Sequence, residues 1–566
     1  MLAIDLGGST LAAKKRGRCR GSGDRSRARP SGISGYGKIM SSAITPWKQR
    51  LHEALFVGLG HGRASRSGAA EPITGPPHGS AFLRALPVLA AVGFVLLAGV
   101  FVWPFTVDDA FIVARFAKNL AERGHYGMNL GATADGVTGP LWLVPGVAAE
   151  WLAPGVADSF LGGSAVTAQK AVGLAATLCA AGVAVRWGEG VRERWATALA
   201  LTASASVALW AAAGLEAGAA ALLVTLAVGA ARVNSRWVWL PLALAPWVRP
   251  ELCPSLLAFV LLARAKHWRG ALAALAVSVA AVGAFRWMAF GSPVPMAVFA
   301  KPSSVGAGIS YTLLGALVAT WGVGVRVAWK GRGRPGAESD PVPRAAFLAL
   351  GVHCAAVAVA GGDWMPGFRL LVPWIPVYAW LYGRGVVAML ISRSPRAALV
   401  LSALPLLLGA IDVAVQLPRA RASGVSTELH AESIHAWLRS TGGPVALADI
   451  GRLVPPDLDV VDLGGVTDAR VAHMPGGHMS KAIDMGYLEA RAPRVFLLGT
   501  HRVDDLPFEP TLFVHPVERT LARSAWFRAH YRFVRQLPLN DDYEYAAYVR
   551  RSAAAATSPE PPRDRP

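Results

Sequence analysis

The chain has 566 residues, of which 53% are apolar and only 16% charged, with a mean hydropathy of +0.39. A soluble protein of that length carries more charge, and several apolar runs reach the ~20 residues that span a bilayer, so a soluble globular enzyme is excluded and a polytopic membrane protein is expected. The formal net charge of +20 does not point to nucleic acid: basic residues crowd the N-terminal tail, and other basic clusters lie in short links between apolar runs, with no continuous basic face.

Residues 1–82 hold thirteen Lys/Arg against four Asp/Glu, with much Gly, Ser and Pro and no hydrophobic period, and are expected to be a disordered cytoplasmic tail. The opening MLAIDLGGST is similar to the phosphate loop of sugar kinases. The basic, unpatterned stretch behind it offers no hairpin to hold such a loop, so that reading is rejected. The first apolar run lies too far in for a cleavable signal peptide. Apolar runs follow at 83–103, 164–185, 195–213, 215–231, 237–248, 251–264, 270–288, 309–329, 344–360, 369–387 and 396–415. A twelfth, 137–154, contains Pro140, Pro145, Glu150 and Pro154. If it stays at the surface, Arg186, Arg192, Arg194, Arg232, Arg236, Arg264, Lys266 and Arg269 all fall inside, as the positive-inside rule prefers. The expectation is therefore eleven crossings, a cytoplasmic N-terminus and an exported C-terminus.

Between the first two runs lies FTVDDAFIVARFAKNLAERGHYGMNLGATADGVTGPLW (105–142). An acidic pair, Asp108 and Asp109, just beyond a membrane helix is a functional-site hypothesis. The same pair also suits an N-cap that opens a surface helix with solvated charges. The spacing predicts an amphipathic surface helix with Phe111, Ile112, Phe116 and Leu120 on one side and Arg115, Lys118 and Asn119 toward another. Asp108, Ile112, Arg115 and Asn119 share a stripe. The eleven-crossing arrangement places Asp108, Asp109, Lys170, Glu216, Arg249, Glu251, Lys301, Asp363 and Arg369 at the outer boundary. Singly, each has a structural reading: Lys170 as a snorkelling side chain, Arg249–Glu251 as a local pair, Lys301 as a solvated loop charge. Together they describe a cavity for a charged or sugar-bearing substrate.

Residues 416–550 change character: charge is frequent and short strand-like runs appear at 445–450, 459–463, 494–500 and 511–515, with helical segments at 427–440 and 517–530. This is read as a small exported α/β domain, and 551–566 as a disordered tail. Cys19, Cys179, Cys253 and Cys354 have no metal-ligand spacing, and no metal site is assigned.

Taken in order, DDAFIVARFAKNLAERGHYGMN (108–129), DGVTGPLW (135–142), GLE (214–216), RPE (249–251), RWMAFGSPVPMAVFAK (286–301), GGDWMPGFRLLVPWIP (361–376) and DLGGVTDARVAHMPGGHMSK (462–481) resemble motifs of the GT-C class of polyprenyl-phosphate-dependent glycosyltransferases. Within it, the likeness is to the family of the mycobacterial terminal β-(1→2)-arabinofuranosyltransferase and its bacterial relatives, over roughly residues 83–500. Val137, Gly139 and Met296 depart from residues common there, which leaves the sugar open. The resemblance implies a GT-C-like transmembrane domain over 83–415 with a catalytic outer loop at 104–163. It also implies a polyprenyl-phosphate-linked sugar as donor, a cell-envelope glycan as acceptor, and an inverting displacement with Asp108 or Asp109 as base. Lys301 and Arg369 are the leading phosphate ligands, with Arg115, Lys170 and Arg249 behind them. Glu216, Glu251 and Asp363 orient those cations or hold sugar hydroxyls, and His473 and His478 line the acceptor side or are structural. Adjacent residues on a helix point about 100° apart, so only one aspartate is expected to act as the base. Asp108 shares its stripe with Arg115, which is expected to lower its pKa; Asp109 is expected to be the base. The alternative reading is a transporter or flippase of lipid-linked sugars, which predicts inverted repeats and mid-membrane sites; no repeat is visible.

Overall fold

The computed structural model describes residues 79–152, 163–302, 304–318, 340–390, 395–501, 513–540 and 543–551. Nearly all of the expected N-terminal tail, the far part of the run 309–329, and the C-terminal tail after Arg551 lie outside these residues. Among these described residues, six helices are long and apolar enough to cross a membrane: Phe82–Phe101, Gly163–Arg186, Trp268–Phe290, Pro341–Val359, Arg369–Leu390 and Ser402–Thr441. Ala217–Arg232, Pro250–Ala263 and Val305–Gly315 are shorter apolar helices.

The remaining expected spans are helical but short. The run 195–213 is broken at residues 203–204, where the Ser204 hydroxyl accepts the Val207 N–H and opens a second helix, Ala205–Ala211. The run 237–248 is a ten-residue helix, Trp239–Val248. The run 137–154 gives a 3-10 turn, Pro140–Trp142, and a ten-residue helix, Leu143–Leu152. Ten helical residues rise about 15 Å, half the hydrocarbon thickness.

The C-terminal domain carries a five-stranded mixed sheet of order β2-β1-β3-β5-β4. Strands β1 (Val445–Leu447), β2 (Val460–Asp462) and β3 (Val495–His501) run parallel; β5 (Tyr543–Arg550) pairs antiparallel with β3 and with β4 (Tyr531–Pro538). Every side chain of β1 and β2 is buried, as in strands covered on both faces. The expected strand at 511–515 reduces, among the described residues, to a single bridge from Phe513 to Thr500. Strands β4 and β5 were not anticipated.

The helix Pro395–Thr441 has 47 residues, and at 1.5 Å per residue it is about 70 Å long, more than twice the hydrocarbon thickness. The expected domain boundary at 415/416 therefore falls inside one continuous helix, and only residues 442–444 separate it from β1. The sheet domain packs at the end of the bundle that bears the acidic pair. There the Asn129 amide pairs with both the N–H (2.8 Å) and the carbonyl (2.7 Å) of Val460, and the Lys481 ammonium donates to the Phe299 carbonyl at 2.9 Å.

Candidate active site

The helix Asp108–Arg123 forms where expected. Val107, with extended backbone, caps its start without a side-chain bond, and Gly124 closes its end in the left-handed region at φ 64°. Neither aspartate is the N-cap; both lie in the first turn, where carboxylates meet the positive end of the helix dipole. The helix is not a surface helix with a solvated stripe. Ile112 and Phe116 are buried, but so are Arg115 and Asn119. The Arg115 guanidinium donates to the carbonyls of Met128 (2.8 Å), Pro455 (3.3 Å) and Leu458 (2.5 Å), and Asn119 Nδ2 to Gly127 O at 2.8 Å. Backbone carbonyls of the sheet domain and of the loop after the helix thus replace solvent along this stripe.

Asp108 belongs to the same stripe. Its two carboxylate oxygens accept the N–H groups of Gly451 and Arg452, each at 2.8 Å. Burial, with the charge of nearby Asp449, pushes its carboxyl up to about 7, against the two backbone donors that pull it down. This corrects the expectation of a lowered pKa: Arg115 is committed to carbonyls and does not pair with Asp108.

Asp109 faces elsewhere. Its Oδ2 lies 3.6 Å from Arg369 Nη1 and 3.9 Å from Lys301 Nζ, and its side chain is 26% exposed. Arg369 is held by Asp363, Nε to Oδ2 at 2.8 Å, and lies over the Trp210 ring. The loop before Arg369 is shaped by residues in the left-handed region, Gly361, Gly362, Gly367 and Phe368. Glycine adopts that region without cost, whereas Phe368 there is strained. The indole N–H of Trp210 pins the loop through the carbonyls of Pro366 and Gly367, at 3.2 and 3.1 Å. Behind Arg369, Arg249 joins Glu216 (2.6 Å) and Glu251 (3.3 Å). Of the nine residues expected at one boundary, seven therefore form two adjoining ion clusters: Asp109, Lys301, Arg369 and Asp363, then Arg249, Glu216 and Glu251.

Lys170 stands apart. Its ammonium donates to the carbonyls of Trp103 and Phe105 and to the Thr106 hydroxyl, tying down the link between the first span and the acidic helix. His473 is exposed, stacks on Phe299 with ring centroids 4.6 Å apart, and does not reach the cluster. His478 does. It lines a narrow cleft with Asp108, Asp109, Lys301, Trp364 and Asp449. Both of its ring nitrogens lack a hydrogen-bond partner among the described residues, and burial beside Lys301 pushes its pKa down to about 4, so it is neutral.

Asp449, at the end of the β1 segment, was missed by the sequence. Burial alone would raise its carboxyl, but His515 (3.6 Å) and the hydroxyls of Tyr545 (2.8 Å) and Tyr543 (3.4 Å) more than offset this and hold it below the usual range. An acid closing an apolar strand run was the available signal. Also unforeseen is the buried pair of Asp135 and Arg286 at 2.6 Å. Arg286 further donates to Thr138 O at 2.6 Å, and Met296 N–H donates to Asp135 at 3.3 Å. This joins the stretches 135–142 and 286–301 and so sets where Lys301 stands.

No protein family, curated protein or solved structure matches the chain.

Proposed function

We propose that this protein is a membrane glycosyltransferase of the GT-C type, with about eleven crossings, a cytoplasmic N-terminus and its sheet domain outside the cytoplasmic membrane. In this reading it moves a sugar, arabinofuranose-like by the resemblance, from a polyprenyl-phosphate donor to a cell-envelope glycan. One observation carries the reading. At the mouth of an apolar bundle, a partly exposed carboxylate, Asp109, faces two cations, Lys301 and Arg369, that a phosphate can claim. Donor binding draws those cations to the phosphate and leaves Asp109 to take the acceptor hydroxyl's proton. The acceptor oxygen then bonds to the anomeric carbon as the bond to the phosphate oxygen breaks, and the departing electron pair stays on a phosphate neutralised by Lys301 and Arg369. Neutral His478 and ionised Asp449 across the cleft are placed to hold acceptor hydroxyls.

The test is transfer by the purified protein in detergent, with a radiolabelled polyprenyl-phosphate sugar and cell-envelope glycan acceptors. Formation of a glycosidic bond without a gradient supports the enzyme. Movement of the lipid across liposomes with no new bond would establish the flippase instead. Sidedness is checked by labelling Gly190→Cys and Ser440→Cys in intact cells: the second should react from outside and the first should not.

A further inference from the structure

At the opposite end of the bundle, two loops meet. The helix Ala217–Arg232 leads away from Glu216 for 16 residues, about 24 Å, to the loop 233–238. The helix Cys253–Ala263 makes the same journey to the loop 264–267. Asn234 and Arg264 turn the two loops in the left-handed region, and Asn234 Oδ1 accepts the Lys266 N–H at 3.2 Å, binding one loop to the other.

Between them lies a cleft of about 610 Å³ lined by Arg236, Trp239, Lys266, His267, Trp268 and Arg269, with no carboxylate in its wall. The side chains of Arg236, Lys266 and Arg269 are exposed and form no ion pair among the described residues. Arg236 lies over the Trp237 ring and Arg269 over the Trp268 ring, at 5.4 and 5.5 Å. Leu240, Leu261 and Leu262, on the adjoining helices, are exposed apolar side chains, as are Trp237 and Trp239.

Three exposed cations with no ion pair among the described residues are open to an anion. The exposed leucines and tryptophans on the adjoining helices suit hydrocarbon and its interface, where Trp concentrates. One ligand supplies both: a lipid whose headgroup is an anionic phosphodiester. We propose that this cleft is a binding site for an anionic phospholipid, with Arg236, Lys266 and Arg269 on the phosphate and the acyl chains along Leu240, Leu261 and Leu262. Basic pockets between membrane helices are suited to such headgroups. The site is independent of the acidic end and of any transfer reaction.

Native mass spectrometry of the delipidated full-length protein tests it, with dioleoyl-phosphatidylglycerol and dioleoyl-phosphatidylcholine as probes. Wild type should retain the anionic lipid at least ~10-fold better, and the triple variant R236Q/K266Q/R269Q should lose that preference, its phosphatidylglycerol binding falling to the unchanged phosphatidylcholine level. Equal retention of both lipids by wild type, or undiminished phosphatidylglycerol binding by the variant, overturns the proposal. Displacement by equimolar sn-glycerol 3-phosphate would show a soluble phosphate site and overturn the lipid assignment. Should the triple variant fail to fold, wild type still decides. Raising salt from about 0.05 to 0.5 M screens exposed cations, so the preference must shrink, and a salt-independent preference refutes the site.

Discussion

The helix Asp108–Arg123 has two working faces, and they use the same residue types differently. On one face, Asp108, Arg115 and Asn119 are bonded to backbone N–H and carbonyl groups, much of them in the sheet domain. On the other, Asp109 meets the side chains of Lys301 and Arg369. A partner fixed in the backbone cannot be exchanged without moving a domain. A side-chain cation at 3.6–3.9 Å can be given up to a ligand. The first face is a latch and the second is a candidate site, although their leading carboxylates are neighbours in sequence.

The sharpest test of that contrast is replacement of each acid by its amide. Asp109→Asn is expected to reduce transfer by ~10²–10⁴-fold, the usual range for losing a general base, with the thermal midpoint within a degree or two of wild type. Near-normal turnover in this variant would sink the catalytic role. Next in size, Lys301→Ala and Arg369→Ala should each weaken donor use by roughly 10–100-fold, since each removes a charge-assisted contact to phosphate. The loss should appear with every acceptor tried. An acceptor-specific defect would place these cations elsewhere in the reaction.

Asp108→Asn should act on the latch. It replaces one accepting oxygen by an NH₂ facing a backbone N–H, at a cost of about 2 kcal/mol. Hydrogen exchange at Gly451 and Arg452 should rise, and transfer should fall less than in the Asp109 variant. If Asp108→Asn is inactive with those two amides still protected, the roles of the two faces are reversed. The same carboxyl also predicts a pH effect. The Asp108 carboxyl is raised from 3.8 to about 7, so the folded state holds its proton more tightly than the unfolded chain. Its contribution is present below pH ~4 and lost as pH rises to ~7. Wild type should therefore lose stability relative to Asp108→Asn across that window, and parallel melting curves would show that Asp108 does not titrate there.

Much of this was legible in the sequence. Apolar runs gave helices at the expected places, and basic asymmetry grouped Asp109, Lys301, Arg369, Asp363, Arg249, Glu216 and Glu251, which the fold brings together. What failed depended on long-range backbone partners. Arg115 resembled a free cation because its acceptors, Pro455 and Leu458, lie about 340 residues away. Lys170 finds its carbonyls more than 60 residues earlier. Asp449 depends on His515, Tyr543 and Tyr545, and β5, which supplies both tyrosines, carries no strict alternation to announce it. A backbone acceptor has no residue identity, so no pattern of side chains reveals it.

The long helix Pro395–Thr441 has a mechanical consequence. It carries Pro418 in its interior, where the missing N–H and the ring make a bend easiest. Six residues on, Gly424 presses so closely on the Pro104–Phe105 backbone that an added Cβ would lie 2.5 Å from it. Beyond that contact the helix runs on for about 25 Å, from Gly424 to Thr441. With three residues between its tip and β1, and with Gly451, Arg452, Pro455 and Leu458 bonded to the acidic helix, the sheet domain is held at two places and the long helix acts as a strut.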